Sequence, residues 1–265
     1  MKIGFIGTGN MGGALARAAA KGGHTLLLAN RTPAKAAALA KELGGTVCPN
    51  AEAAEKAELL FLGVKPQGLP GLAGELAPVL QARKGNAPVV SMATAVTLRE
   101  LDAMLGGGLP LIRIMPNTPA AVGAGTILYA AQNVTDAQLN AFRAVLAQAG
   151  LLLPLPEAQI DAASAISGCG PAFCFQFADA LALGGVRAGL SYPDACRLAA
   201  QTMLGAAEML LQGGEAPDVL KMRVCSPAGT TIEGVLALEQ GGFSYTVQNA
   251  VTAAYRRTVE MTRKG

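Results

Sequence analysis

Short apolar runs alternate with amphipathic, alanine-rich stretches through the first half of the chain. The runs Ile3–Ile6, Thr25–Ala29, Leu59–Val64, Val89–Met92, Leu111–Ile114 and Thr126–Ala130 predict strands. Between them, Met11–Lys21, Pro33–Leu43, Leu98–Leu105 and Asp136–Ala149 predict helices, the last opened by a Thr135-Asp136 capping signal. Unbroken apolar runs suit strands buried on both faces, and the helices supply the crossovers that a parallel sheet requires. Past Leu151–Pro156 the strand signals stop. The remainder predicts helices over Ala158–Ser167, Pro171–Ala188, Tyr192–Leu211, Ala216–Val224, Thr230–Gln240 and Ser244–Arg263, with Gly213-Gly214 and Gly241-Gly242 as breakers. At 265 residues two domains are expected: an α/β domain with a doubly wound parallel sheet over residues 1–155, then an all-α domain over residues 156–265, divided near Pro154–Glu157.

Composition narrows the function classes. Hydrophobic residues make up 51% of the chain and charged ones 15%, which excludes disorder and points to apolar surface covered by another subunit. A net charge of +3, with only the small clusters Arg256-Arg257 and Arg263-Lys264, is too little for a nucleic-acid surface. The five cysteines are odd in number and form no CxxC pair, so neither a disulfide framework nor a zinc site is suggested, and no metal is expected. A reducing cytoplasm fits this usage. Met1-Lys2 leads directly into the first apolar run, without the features of a signal peptide. The uncharged stretch Ala162–Ala178 carries serine, glycine, proline and glutamine, and reads as a buried segment rather than a membrane span.

The first candidate chemistry lies in Gly7-Thr8-Gly9-Asn10-Met11-Gly12, a G-x-G-x-x-G between the first strand and the first helix. In that context it is the dinucleotide-binding fingerprint of a Rossmann-type fold. Glycines let the backbone turn tightly and bring N–H groups and the helix end against a pyrophosphate. Where an NAD enzyme places an acid for the ribose 2′-hydroxyl, this chain has Asn30-Arg31-Thr32, whose guanidinium and hydrogen-bonding groups suit a 2′-phosphate. NADPH is therefore the expected cofactor, with NADH weaker. Val64-Lys65-Pro66 leaves the sheet at its carboxyl edge, and the small residues of Ser91–Ala95 leave room for a nicotinamide-ribose.

Four motifs in order carry a family resemblance: Val64-Lys65-Pro66, Met115-Pro116-Asn117-Thr118-Pro119, Ser167-Gly168-Cys169-Gly170-Pro171-Ala172-Phe173 and Ser226-Pro227-Ala228-Gly229-Thr230-Thr231. Over essentially its whole length the chain resembles the pyrroline-5-carboxylate reductases. The resemblance implies a Rossmann domain holding NADPH and a helical domain forming an intertwined homodimer, with dimers assembled into larger rings. It implies an active site between the nicotinamide and the Ser226–Thr231 loop, partly closed by the dimer partner. It further implies cofactor contacts at Asn50, Val64, Lys65 and Ala93 beside Gly7, Gly9, Asn10, Met11, Gly12 and Arg31, and substrate contacts at Glu157, Ser226, Gly229, Thr230 and Thr231. Three positions depart from the usual pattern: Cys169 for serine, Ala228 for the first of two glycines, and Thr94 for glycine. Ala228 matters most, because alanine is strained at positive φ where glycine is not.

The residues of the last loop agree with this role, since successive N–H groups and hydroxyls at the start of a helix can surround a carboxylate without an arginine. Equally, Ser226 or Thr230 could cap that helix. The expected reaction is hydride transfer to the C=N carbon of a small cyclic imino acid, catalysed by placement, with Thr231 as hydrogen-bonding partner of the ring nitrogen. A related imino acid such as piperideine carboxylate is an alternative substrate. A β-hydroxyacid dehydrogenase would need a lysine early in its second domain, and none occurs between Glu157 and Glu215. A non-enzymatic NADP(H) sensor would keep the glycine loop and Arg31 but would not need the Ser226–Thr231 loop.

Overall fold

The computed structural model describes residues 1–83 and 85–262. Arg263-Lys264, and with them the predicted end of the last helix, lie outside the described residues. In chain order the elements are β1 (Lys2–Ile6), α1 (Asn10–Lys21), β2 (Thr25–Ala29), α2 (Pro33–Leu43), β3 (Thr46–Val47), α3 (Asn50–Lys56), β4 (Leu59–Leu62), α4 (Leu69–Ala82), β5 (Val89–Ser91) and α5 (Leu98–Met104). They continue with β6 (Leu111–Pro116), β7 (Gly125–Gln132), α6 (Asp136–Leu146), β8 (Gly150–Pro154), α7 (Glu157–Ser167), α8 (Gly170–Arg187), α9 (Tyr192–Gly213), α10 (Pro217–Val224), α11 (Thr230–Gln240) and α12 (Phe243–Thr262).

The strands form one sheet in the order β3-β2-β1-β4-β5-β6-β7-β8. Pairing from β3 through β6 is parallel, as the apolar runs predict, and the order reverses direction at β1, between β2 and β4. The expectation of a wholly parallel sheet needs correction at one end. β7 runs antiparallel to β6, and β8, which was not predicted as a sheet strand, pairs parallel to β7. The reason is connection length: Thr118–Val122 forms a single 3-10 turn closed by Gly123 at φ +80, too short for the helical crossover that a parallel return needs. The helices α3 and α4 were also not predicted. Pro70, Gly71, Gly74 and Pro78 mask the pattern of α4, yet Leu69, Leu72, Ala73, Leu76 and Leu80 bury one continuous face.

Burial on both faces explains the unbroken apolar runs. One core joins Ile3, Phe5, Leu26, Leu28, Phe61 and Ile112 to α1, α2 and α6. The other joins Ile6, Leu27, Leu60, Leu62 and Leu111 to α3, α4, α5 and Ile160 of α7. Phe5 and Phe61 stack across β1 and β4 with centroids 4.6 Å apart.

The described chain divides into two compact units, Met1–Gly168 joined by the chain from Tyr255, and Cys169–Ala254. α7 packs on β6 and β7 in the first. In the second, α8 and α9 pack closely through small residues. Ala182, Ala195 and Ala199 are buried there, and a Cβ on Gly185 would meet that of Ala195 at 3.1 Å. Most other apolar side chains of this unit are exposed in the single chain, Phe175 at 71% and Leu211 at 79% among them. The expectation that Ala162–Ala178 is buried is therefore corrected. By length and composition Glu157–Arg187 meets the demands of a membrane span, and 6% of its apolar window is buried within the described residues. A helical layer with so little core of its own needs apolar cover from elsewhere.

Candidate active site

The glycine loop joins β1 to α1 through three glycines that do different work. Gly7 sits at φ +97, and a Cβ there would lie 2.4 Å from the carbonyl oxygen of Gly63. A Cβ on Gly12 would lie 2.0 Å from the carbonyl oxygen of Gly7. Both are required by the protein's own packing. Gly9 is different: a Cβ there meets nothing within 4 Å among the described residues, although Gly9 lines a cleft of about 700 Å³. Gly9 is also the N-cap of α1, where no side-chain cap bond is found among the described residues and no acid stands in the first turn. The first amides of α1 are thus free to meet an anion in a cradle that a side chain would fill, which fits a dinucleotide pyrophosphate.

The same cleft is lined by Gly7, Asn30, Arg31, Thr32, Asn50, Val64 and Lys65, which gathers most of the predicted cofactor residues in the first unit. Asn10, Met11, Gly12, Pro66 and Ala93 are not among its lining residues. Asn10, Met11 and Gly12 form the first turn of α1 behind Gly9, and Pro66 begins the 3-10 turn that carries Lys65 at its N-cap. Asn30 has a structural task as well. Its Oδ1 accepts from the Thr8 N–H at 3.1 Å and its Nδ2 donates to the Thr32 carbonyl at 3.0 Å, tying the glycine loop to the end of β2. The reading of the sequence missed Lys35 and Glu75, which also line the cleft. Lys35 stands one helical turn beyond Thr32, a spacing that could have flagged it. Glu75 lies on the unpredicted α4 and accepts from Asn50 Nδ2 at 3.1 Å.

Ala93 is buried, its N–H donating to Ser91 Oγ at 3.3 Å, and the backbone turns through Ala95 at φ +62. The strain thus falls beside Thr94 rather than on it. Thr97 then caps α5 in a capping box with Glu100. Hydrogen bonds from the Thr97 N–H and hydroxyl hold the Glu100 carboxyl below its ordinary range. Glu157 Oε1 accepts from the Leu98 N–H at 2.7 Å and from Arg113 Nη1 at 3.3 Å, while Arg113 Nη2 donates to Asp161 at 2.6 Å. Arg113, only 4% exposed, was not singled out in the sequence, although a charge inside the apolar run Leu111–Ile114 was its signal. Asn117 of the Met115–Pro119 motif is likewise buried, donating to the Ser167 carbonyl at 2.9 Å and accepting from the Thr126 N–H at 2.8 Å.

In the second unit, Ser226, Gly229, Thr230 and Thr231 lie together ahead of and at the start of α11. The N-cap is Gly229, with no side-chain cap bond among the described residues, so neither Ser226 nor Thr230 acts as the expected cap. The Gly229 N–H donates to the Ser226 carbonyl at 3.0 Å, and a Cβ on Gly229 would strike Ser226 Oγ at 2.2 Å. Ala228 adopts φ +54, the left-handed conformation foreseen for this glycine-like position. A tight turn, hydroxyls and free helix amides are what a small carboxylate needs.

Comparison with known proteins accords with both halves. Residues 157–261 match the family described as pyrroline-5-carboxylate reductase dimerisation, and residues 2–94 match that described as NADP oxidoreductase, coenzyme F420-dependent. A pyrroline-5-carboxylate reductase of Pseudomonas aeruginosa is 38% identical over 98% of this chain and 96% of its own. The solved structure of the enzyme from Coxiella burnetii superposes with a TM-score of 0.90 at 32% identity, covering 97% of each chain. That of Plasmodium falciparum pyrroline carboxylate reductase with NADP bound superposes at 0.85 and 30% identity, covering 99% of each. Coverage is near-complete in both directions, across the glycine loop, the sheet and the helical unit alike, and the chain belongs to the pyrroline-5-carboxylate reductase family.

Proposed function

We infer that this chain reduces 1-pyrroline-5-carboxylate to L-proline with NADPH, the last step of proline biosynthesis. The observation that carries the reading is the match along the whole chain to reductases of this name, at 38% identity over 98% of its length for the Pseudomonas relative. The cofactor end supports it independently: an uncapped helix behind an open Gly9, with Arg31 and Lys35 in place of an acid at the 2′-position. The functional division lies near Pro154–Glu157, with cofactor binding before it and dimerisation and substrate binding after it, a reading supported by the start of the dimerisation match at residue 157.

NADPH supplies a hydride from its nicotinamide ring. Gly7, Gly9 and the first turn of α1, Asn10 to Gly12, receive the pyrophosphate, and Asn30, Arg31 and Thr32 receive the 2′-phosphate. Asn50, Val64, Lys65, Pro66 and Ala93 complete the cofactor site. Ser226, Gly229, Thr230 and the α11 amides hold the substrate carboxylate, and Thr231 hydrogen-bonds the ring nitrogen and relays its proton. A C=N carbon is already electrophilic, so placement rather than a strong base is the main requirement. The chain acts as a homodimer whose apolar helical faces cover one another, the dimers joining into a ring in the cytoplasm.

NADPH oxidation measured with pyrroline-5-carboxylate, piperideine carboxylates and 2-hydroxy acids tests the assignment. Turnover with the first is expected, and activity confined to hydroxy acids would overturn it. Thr231→Ala should lower kcat while NADPH affinity stays nearly unchanged.

A further inference from the structure

We propose that Arg113 is a positioning residue for this reaction, acting through Glu157 on the N terminus of α5 and so on the Met92–Val96 segment. The proposal rests on the reading of that segment as the nicotinamide side of the cofactor site.

Three observations in the first unit carry it. The first is a buried cation with two carboxylates. Arg113 projects from β6 on the sheet face that carries α5 and α7, and its guanidinium meets Glu157 and Asp161, one helical turn apart on α7, at 3.3 and 2.6 Å. Fully apolar side chains often stabilise such a place equally well, so a charged triad here points to a demand for geometry rather than for stability. The second is the extra bond of Glu157. The first amide of a helix has no partner within its own backbone, and the Thr97 side chain is already committed to Glu100. Glu157 takes the remaining Leu98 N–H at 2.7 Å.

The third is strain. Ala95 at φ +62 occupies a conformation that costs a non-glycine residue about 1–2 kcal/mol, and such residues persist only where both flanks are fixed. The upstream flank is fixed by the sheet, where the Met92 N–H donates to the Leu62 carbonyl at 3.3 Å. Glu157 fixes the downstream flank. The two anchors meet at Arg113, which stands opposite Ser91 in the β5–β6 register. Glu157 therefore serves the site by holding Leu98, besides the substrate contact that the family resemblance implies for it.

The test uses the full chain in its native assembly, with Glu157→Ala, Glu157→Gln, Arg113→Met and the double variant Arg113→Met/Glu157→Ala. Amide hydrogen exchange without nucleotide gives a readout independent of activity. Glu157→Ala should speed exchange at Leu98 and its neighbours by about fivefold, the loss of one capping bond, while Glu157→Gln, which keeps the carbonyl acceptor, should restore protection. In steady-state assays Glu157→Ala should lower kcat roughly tenfold or more with the KM for the imino acid within about twofold. Arg113→Met should do the same, and the double variant should be no worse than the more severe single one. Should Arg113→Met fail to fold, the Glu157 pair decides alone.

Unchanged exchange, unchanged kcat, or a rise in KM with kcat intact overturns the proposal, the last in favour of direct substrate contact alone. A wild-type chain inactive on pyrroline-5-carboxylate would instead refute the proposed function, and the exchange measurement would still decide whether Glu157 anchors Leu98.

Discussion

Replacing Gly9 by alanine separates folding from cofactor binding at one atom. Gly9 has φ −70 and ψ −167, a region open to any residue, and the added methyl meets no atom within 4 Å among the described residues. Two small effects on stability oppose each other: alanine is a poorer N-cap than glycine, and it restricts the unfolded chain. They offset to within about 1 kcal/mol, a shift of no more than about 4 °C in Tm. Binding should respond quite differently, because the methyl would project into open space at the wall of the cleft that Gly9 lines, where the pyrophosphate is proposed to sit. Loss of a single charge-assisted bond of about 1.5–3 kcal/mol raises the Kd for NADPH by roughly ten- to a hundredfold. Gly12→Ala is the control. Its methyl would lie 2.0 Å from the Gly7 carbonyl oxygen, so the backbone must move and Tm should fall, with a cost of about 1–3 kcal/mol or more. Thermal unfolding without nucleotide and fluorescence titration with NADPH measure the two quantities. A Gly9→Ala protein that loses stability as Gly12→Ala does, yet binds NADPH like the wild type, would refute this division of roles.

Arg31→Ala should weaken NADPH binding by roughly ten- to a hundredfold through loss of charge-assisted bonds to the 2′-phosphate, and leave NADH binding nearly unchanged; an equal loss for both nucleotides would count against the assignment. Ala228→Gly should relieve the φ +54 strain and stabilise the protein by up to about 1 kcal/mol in urea unfolding, and a destabilised variant would show that the turn prefers its methyl. The Glu100 carboxyl is held below its ordinary range by its bonds to Thr97, so its contribution is complete above the unfolded value, about 4.3, and is lost as pH falls through the lower folded value. Glu100→Gln should therefore flatten the decline of stability in that acid window, and an identical decline would remove Glu100 as its source.

Local pattern made much of this protein legible. The strands β1, β2, β4, β5 and β6 and the helices α1, α2, α5 and α6 follow from apolar runs and capping signals, because their burial on both sheet faces leaves a continuous imprint. α4 was hidden, since its prolines and glycines argue locally against a helix that tertiary burial of Leu69, Leu72 and Leu76 sustains. The reversal at β7 was equally invisible to periodicity, which reports the spacing of side chains along a strand and is silent on its direction.

The sequence by itself determined the chemistry that depends on residue type at a fixed local spacing. The glycine fingerprint, the Arg31 substitution for an acid and the strained Ala228 turn belong to it, because backbone approach, charge and φ preference are properties of a few neighbouring residues. Only the tertiary structure decided which charges meet. Arg113, Glu157 and Asp161 come together from β6 and α7, and Glu157 reaches Leu98 across 59 positions of chain. No local rule links residues so far apart; the sheet order and the packing of α7 on it do so, by enclosing a guanidinium where water cannot solvate it and carboxylates must.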